Sequence, residues 1–539
     1  VTVDADKIHQ RRWWTLGVLC LSLLLIVVDN SIVNVALPTI QQDLDSSTSQ
    51  LQWIVDSYIL VFAGLLLTAG SLGDKFGRKG ALNAGLGIMA LAAALSAVAE
   101  SSGQLIATRA VMGIGAALVM PATLSILTNV FTDPGERAKA IAIWAGTSGM
   151  AVALGPVSGG WLLEHFWWGS VFLVNIPVIA AALVGGYFLV PHSRDEHATR
   201  IDLVGAGLSI VGLVSLVWAV IKAGELGWTD GTVLSGFAVA ALFLTLFVVA
   251  ERRIAEPMLP VSFFASRRFT AASAAITVTF FAMMGAIFLL TQYQQLVLGY
   301  SALGVGVRLL PMAAVMMVMA PTSAKLVERA GTKAVVGTGL LITSLSLVLL
   351  ATLDAGSSYA ALVSRMMLLA AGMALTFSPA TESIMGSLPR EKAGVGSAIN
   401  DTTREVGGAL GIALLGSLMS GRYTDKMATF LADKPVSPAD AHVIADNLRF
   451  ALGAAGQAGG ENGQLLASTA KDAFVDGMAL ANLVGAVAVL VGAIVVFAFL
   501  PARAQGVDPV LEADVDTPAD TEVAGDGDDP SRRPAPVLA

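Results

Sequence analysis

The chain has 539 residues, of which 55% are hydrophobic and 13% are charged. A soluble chain carries about 25% charged residues, so this composition belongs to a membrane protein and argues against a water-soluble domain. The net charge of -8 says little about partners, and no nucleic-acid partner is expected. Much of it sits in the acidic, Pro- and Gly-containing stretch Asp508 to Asp529, where disorder is expected.

Fourteen apolar runs are each long enough to cross a bilayer core of about 30 Å. They fall at roughly 14–38, 51–72, 80–100, 104–127, 138–163, 169–190, 202–222, 232–251, 269–297, 303–327, 333–353, 359–386, 394–419 and 474–500. The first run is full-length with no small-residue cleavage site behind it, so it reads as a spanning helix rather than a signal peptide. The single cysteine, Cys20, lies inside it, so no intrachain disulfide is possible. Basic residues fall in alternate connections: Lys7, Arg11 and Arg12; Lys75, Arg78 and Lys79; Arg137 and Lys139; Arg194 and Arg200; Arg252, Arg253, Arg267 and Arg268; Lys325, Arg329 and Lys333; Arg390 and Lys392; Arg503. The exceptions are Lys222 and the long connection between the last two spans, and long loops weigh little in this rule. The positive-inside rule then puts both termini in the cytoplasm, in a multi-pass protein of the plasma membrane.

Two short charged turns repeat along the chain. Gly70-Ser71-Leu72-Gly73-Asp74-Lys75-Phe76-Gly77-Arg78-Lys79 has a weaker copy at Ala324 to Lys333, where Glu328 and Gly331 stand for Asp74 and Gly77. Pro134-Gly135-Glu136-Arg137-Ala138 is matched at nearly the same offset by Pro389-Arg390-Glu391-Lys392-Ala393. Such repeats are how many secondary transporters are built. The offset exceeds six spans by enough for two more, which fit at 201–251. The expected fold is therefore all-α. A cytoplasmic N-terminus (1–13) precedes a six-helix bundle (14–190), two inserted helices of peripheral role (201–251), and a second six-helix bundle (269–500). The second bundle carries an external segment (421–473), and a disordered acidic tail (501–539) follows it. The external segment has Ser437-Pro438 as a helix start and a Gly-rich middle, Gly453 to Gly463, that reads as flexible. It is expected to be an amphipathic cover, dispensable for small-molecule transport.

Four motifs carry a family resemblance over nearly everything from Arg12 to Pro501. They are the Gly70–Lys79 turn; Asp29-Asn30-Ser31-Ile32-Val33-Asn34-Val35-Ala36-Leu37-Pro38; Arg109-Ala110-Val111-Met112-Gly113-Ile114-Gly115; and Gly155-Pro156-Val157-Ser158-Gly159-Gly160. The chain resembles the fourteen-helix drug:proton antiporters of the major facilitator superfamily. The resemblance implies a cytoplasmic gate at Gly70, Asp74, Gly77 and Arg78. It also implies an antiporter motif at Gly155, Pro156, Gly159 and Gly160. Physically, Gly77 allows a sharp reversal. Asp74 can pair with Arg78 or Arg137 as a latch between halves, or the basic residues can simply set topology. Pro156 removes a backbone donor and is expected to break its helix.

Ionisable residues inside spans cost several kcal/mol each and mark the candidate site. Asp29, Asp56 and Arg109 are expected to form one cluster in the first half. Asp401, Arg404 and Glu405 form a second on the thirteenth span, where Asp401 and Glu405 share a face and Glu405 lies near the midplane. Both sets are read as the proton-coupling and substrate site, with the proton carrier expected among Asp29, Asp56, Asp401 and Glu405. The alternative for Arg109 with Asp29 or Asp56, and for the second set, is an internal ion pair. The Met-rich stretch Leu310 to Met319 either lines an adaptable pocket or packs the helix. Glu382 reads as an interface residue. No phosphate-binding GxxxxGK[ST] loop is present, and no metal-spaced cluster stands among five His and one Cys. Neither enzymatic activity, a metal nor a cofactor is therefore expected, and a proton gradient is the expected energy source. The expected partners are protons, the lipid bilayer and small lipophilic, cationic or amphipathic substrates, handled by a monomeric multidrug exporter. A dedicated exporter of one antibiotic or natural product, or a lipid or cell-envelope transporter, is the alternative.

Overall fold

The computed structural model describes residues 5–46, 48–194, 202–254, 257, 259–389, 392–434, 436–446 and 448–503. The acidic tail, Arg200, and Arg390 with Glu391 of the second repeated turn lie outside these residues. Among the described residues every regular element is a helix. The first half holds α1 (Ala5–Asp43), α2 (Thr48–Phe76), α3 (Arg78–Ala97), α4 (Ser102–Val130), α5 (Pro134–His165) and a sixth span made of α6 (Ser170–Leu173) and α7 (Asn175–Leu189). The inserted pair is α8 (Leu203–Leu226) and α9 (Gly231–Glu251). The second half holds α10 (Arg267–Gln292), which ends in a wider π-helical turn at Tyr293–Val297. It continues with α11 (Ala302–Ala330), α12 (Thr332–Leu350), α13 (Tyr359–Met385), α14 (Ala393–Leu431), α15 (Pro438–Asp446), α16 (Leu448–Ala458) and α17 (Gly460–Phe499).

Thirteen helical segments among these are long and apolar enough to cross a membrane. The remaining expected span is α14, which is interrupted by Asp401, Arg404 and Glu405. Many starts follow directly from sequence. Ser101, Asp133, Asp202, Asp230, Ser266, Ser301 and Ser358 each accept a backbone N–H of the following first turn, satisfying donors that a helix start leaves open.

The repeat is visible in the backbone. Gly77 (φ 108) turns the chain between α2 and α3, and Gly331 (φ 83) turns it between α11 and α12. Both values lie where a side chain is disfavoured. Each turn meets the segment that leaves the last span of its half: Arg78 N donates to Ser193 O at 3.0 Å, and Gly331 abuts Ala502 O.

Three expectations are corrected. α5 passes through Pro156 as one helix. Gly155 and Gly159 bring it hard against Ser31 and Ile32 of α1, and close packing on small residues holds the helix across the missing donor. The segment 421–473, expected as a separate amphipathic cover, is continuous with the spans on both sides. α14 and α17 extend through its two ends, and the Gly-rich stretch is helical on either side of a reversal. Gly459 (φ 59) and Gly460 (φ 55) supply that reversal. The inserted pair is not wholly peripheral. α9 packs on α8, but α8 lies over the seam between α2 and α14 and touches both. Trp228, in the α8–α9 turn, donates to Ser417 Oγ of α14 at 3.0 Å.

Candidate functional site

The two halves meet chiefly along α5 with α11 and α2 with α14, supported by α13 against α5 and α14 against α4. At the end that holds Asp74 they are bolted together. Asp74 is buried and takes Arg78 through Nε at 2.7 Å and Nη2 at 2.6 Å. It also accepts Gly394 N and Val395 N, each at 3.1 Å, across the seam. The carboxylate thus caps the first turn of a helix in the other half, where the open donors and the positive end of the helix dipole favour an anion. Gly70 and Gly394 permit this approach: a Cβ on Gly70 would strike Gly394 O, and one on Gly394 would strike the Asp74 carboxylate. Gly77 and Arg78 complete the turn. Arg137 does not join Asp74. It makes a fork on Glu382 of α13, with contacts of 3.0, 3.2 and 2.8 Å, a second ion pair between halves.

The first-half cluster divides. Arg109 Nη1 meets Asp29 Oδ2 at 2.7 Å, and both side chains are fully buried. Asn175 donates to Asp29 Oδ1 at 2.7 Å, so both oxygens of Asp29 are occupied. Arg109 also donates to Ile54 O and lies 4.3 Å over the Tyr58 ring. Asp56 is elsewhere, on the wall of a cavity between the halves.

The second cluster sits where that cavity meets a smaller one. Arg404 Nη1 pairs with Asp401 Oδ1 at 3.2 Å, and Asn400 donates to the same oxygen at 3.3 Å. The Arg404 guanidinium lies among the rings of Phe280 (4.7 Å), Phe377 (4.9 Å) and Trp144 (5.5 Å). This aromatic cage holds a cation in an apolar setting. Glu405, one residue on, takes no hydrogen bond and no ion pair among the described residues. It lines both cavities. The smaller has a volume of about 90 Å³ and walls from Tyr58, Phe62, Phe280, Phe377 and six methionines. Met312 and Met316 of the Met-rich stretch face it, while Met317 points outward. The larger, about 590 Å³, follows α14 from Glu405 toward the end opposite Asp74. The arrangement leaves one carboxylate open to a cation or a proton in a flexible apolar chamber. Among the described residues no group of His, Cys, Asp or Glu is placed to hold a metal.

Gly155, Pro156, Gly159 and Gly160 line neither cavity. They seat α5 against α1 and α11; Gly160 faces Leu303, and Pro156 faces Gly306. Arg308 stacks on Tyr300 at 3.7 Å, and Arg365 bonds Thr352 at 3.0 Å; neither side chain lines the two cavities. The functional residues that sequence reasoning does not single out are Asn175, Tyr58 and the aromatic cage. Asn175 is detectable as a polar residue inside an apolar run. The rings carry no such signal, because an aromatic in a span is ordinary.

The family model described as Major Facilitator Superfamily matches residues 19–412. The chain belongs to the Major Facilitator Superfamily. It is 36% identical over 497 residues to the multidrug efflux pump LfrA of Mycolicibacterium smegmatis, covering 92% of this chain and 97% of that one. It is 34% identical over 531 residues to the tetracenomycin C resistance and export protein of Streptomyces glaucescens, covering 97% of each. It is 33% identical over 418 residues to the methyl viologen resistance protein SmvA of Salmonella typhimurium, covering 77% of this chain and 84% of that one. Among solved structures, the human organic anion transporter MFSD10 superposes with a TM-score of 0.55 at 14% identity, covering 92% of this chain and 99% of that one. That likeness concerns the fold alone. As a Major Facilitator Superfamily member the chain is a multi-pass membrane transporter.

Proposed function

We propose that this chain exports lipophilic cationic or amphipathic molecules from the cytoplasm across the plasma membrane in exchange for protons, by alternating access. The observation that carries the reading is Glu405: an acid with no ion-pair partner among the described residues, at the junction of two cavities between the halves. Membrane transporters bind substrate and coupling ion in that position. Asp401 holds Arg404, so Glu405 keeps its capacity for a cation. Protonation of Glu405 removes the charge that holds a cationic substrate, and deprotonation restores it; this competition couples the two fluxes. The efflux and resistance functions in the names of the relatives favour the same direction of transport.

The basic connections put the Asp74 end in the cytoplasm. On that orientation the described state is closed inward, with Asp74 on α14 and Arg137 on Glu382 as the gate. The larger cavity leads outward. The cavity lies between the two halves of one chain, which supports reading a monomer as the working unit. A membrane potential of about 100 mV supplies about 2.3 kcal/mol per charge, and one pH unit adds about 1.4 kcal/mol. One proton per cycle therefore supports roughly a few-hundred-fold gradient of a neutral substrate, whereas exchange for a monovalent cation moves no net charge, so one pH unit then supports about a tenfold gradient.

The test is transport by purified protein in proteoliposomes under an imposed pH gradient, over a panel of lipophilic cations, antibiotics and lipids. Glu405→Gln is expected to abolish gradient-driven accumulation. Accumulation at the wild-type level by a correctly inserted Gln variant overturns the assignment.

A further inference from the structure

The larger cavity has a direction and an end. Starting at Glu405 it follows one face of α14 through Gly408, Ile412, Gly416, Met419 and Tyr423, in steps of three and four residues that keep to one side of a helix. Those residues span about 27 Å at 1.5 Å each, whereas half of the bilayer core is only about 15 Å. The cavity therefore runs on beyond the span proper, into the part of α14 that projects toward α15 and α16. There it ends on Tyr423, on Leu448 at the start of α16, and on Phe474 of α17. Leu448 is 3% exposed and Phe474 is 2% exposed, although both lie in or beside the segment that joins two spans. That segment is held in place. Tyr423 Oη donates to Ile444 O of α15 at 3.3 Å, and Arg422 and Lys426 of α14 pair with Asp476 of α17.

Two carboxylates line the chamber, Glu405 at its inner end and Asp56 on its wall, and Asp56 has an interaction of its own. With Glu405 as the open acid, a mainly apolar wall along α14 and an apolar stop at the outer end, the chamber suits one shape of ligand. We propose that the α15–α16 segment is part of the substrate site, and that the preferred substrates are elongated single-headed cationic amphiphiles. The cation sits at Glu405, the alkyl tail lies along α14, and the tail end rests on Leu448, Phe474 and Tyr423. The small residues Gly408 and Gly416 leave the track smooth for a chain, and Leu448 sets how long a tail is accommodated. This proposal rests on the export reading above and adds to it the shape of the substrate and the residues that select it.

The test uses the full chain in proteoliposomes, with gradient-driven uptake of tetraphenylphosphonium as the reporter. Octyl-, dodecyl- and hexadecyltrimethylammonium are the competitors. The readout is the ratio of hexadecyl to octyl potency within one variant, which cancels any general loss of activity. In the wild type the ratio, corrected for partition into the membrane, is expected to favour hexadecyl. Leu448→Asp is expected to lower that ratio by about tenfold or more, the scale set by burying one aliphatic side chain against the tail. Leu448→Ala and Phe474→Ala are expected to lower it by smaller factors, and they carry the test if the Asp variant fails to insert. A ratio unchanged in all three variants, or a wild type with no preference for the longer tail, overturns the proposal. Absence of gradient-driven tetraphenylphosphonium transport by the wild type is a separate result: it removes the export reading itself.

Discussion

Replacing Asp74 by Asn tests the gate at the level of single atoms. In the closed seam Oδ1 takes Arg78 and Gly394 N, while Oδ2 takes Val395 N. An Asn side chain keeps one acceptor oxygen and turns a donor toward the other backbone N–H, so at least one bond across the seam is lost. A hydrogen bond to a charged acceptor is worth about 1.5–3 kcal/mol. The closed state should therefore lose about ten- to about 150-fold in population relative to the inward-open one. The change is local: the cap sits on Gly394, about 17 Å along α14 from Glu405. Spin labels on the exposed positions Phe76 and Arg329, one in each half, report the separation at this end. The expected result is a broadened, longer distance distribution and slower turnover, with binding at the substrate site close to wild type. Reduced affinity with normal turnover and an unchanged distance distribution would refute the reasoning.

Other outcomes follow from the same geometry. Asp29→Asn should act on stability rather than coupling, because it leaves the fully buried Arg109 unpaired, at a cost of about 3–5 kcal/mol. Thermal unfolding in detergent should show the loss, while folded protein keeps its pH-driven transport; an uncoupled but fully stable variant contradicts this. Arg137→Glu and Glu382→Arg should each open the seam, and the double exchange should restore part of the closure, read by the same spin-label distances. Gly155→Ala should cost about 1–3 kcal/mol by forcing α1 and α5 apart. Adding Ser31→Gly should recover most of it, since Ser31 is what the new Cβ strikes; no recovery in the double variant points to another cause.

Much of this molecule is legible in its sequence because a bilayer leaves few options. Apolar length gives the spans, and the repeated turns give the two halves with their inserted pair; Gly77 and Gly331 do adopt the left-handed turn that a matched glycine suggests. The charges of α14 stand out for the same reason: an acid in a span is expensive and therefore conspicuous. What sequence does not give is the partner of each charge. Spacing alone makes Asp29, Asp56 and Arg109 one cluster, whereas helix rotation sends Asp56 to the cavity and Asp29 to Asn175. Spacing likewise gives Arg404 a choice of Asp401 or Glu405; it pairs with Asp401, amid three aromatic rings from α5, α10 and α13. Those rings are distant in the chain, so no local pattern announces them. The segment after α14 departs from expectation for a related reason. Its Ala- and Gly-rich composition is compatible with a loop, but Ala is the best helix former, and the glycines that reverse the chain are the adjacent Gly459 and Gly460.

The central claim is that Glu405 exchanges a proton for a substrate. The most direct measurement is proton release from purified, unbuffered protein when a lipophilic cation is added. The account predicts release by the wild type and by Asp29→Asn, with none from Glu405→Gln. Release from the Gln variant equal to that of the wild type would contradict it.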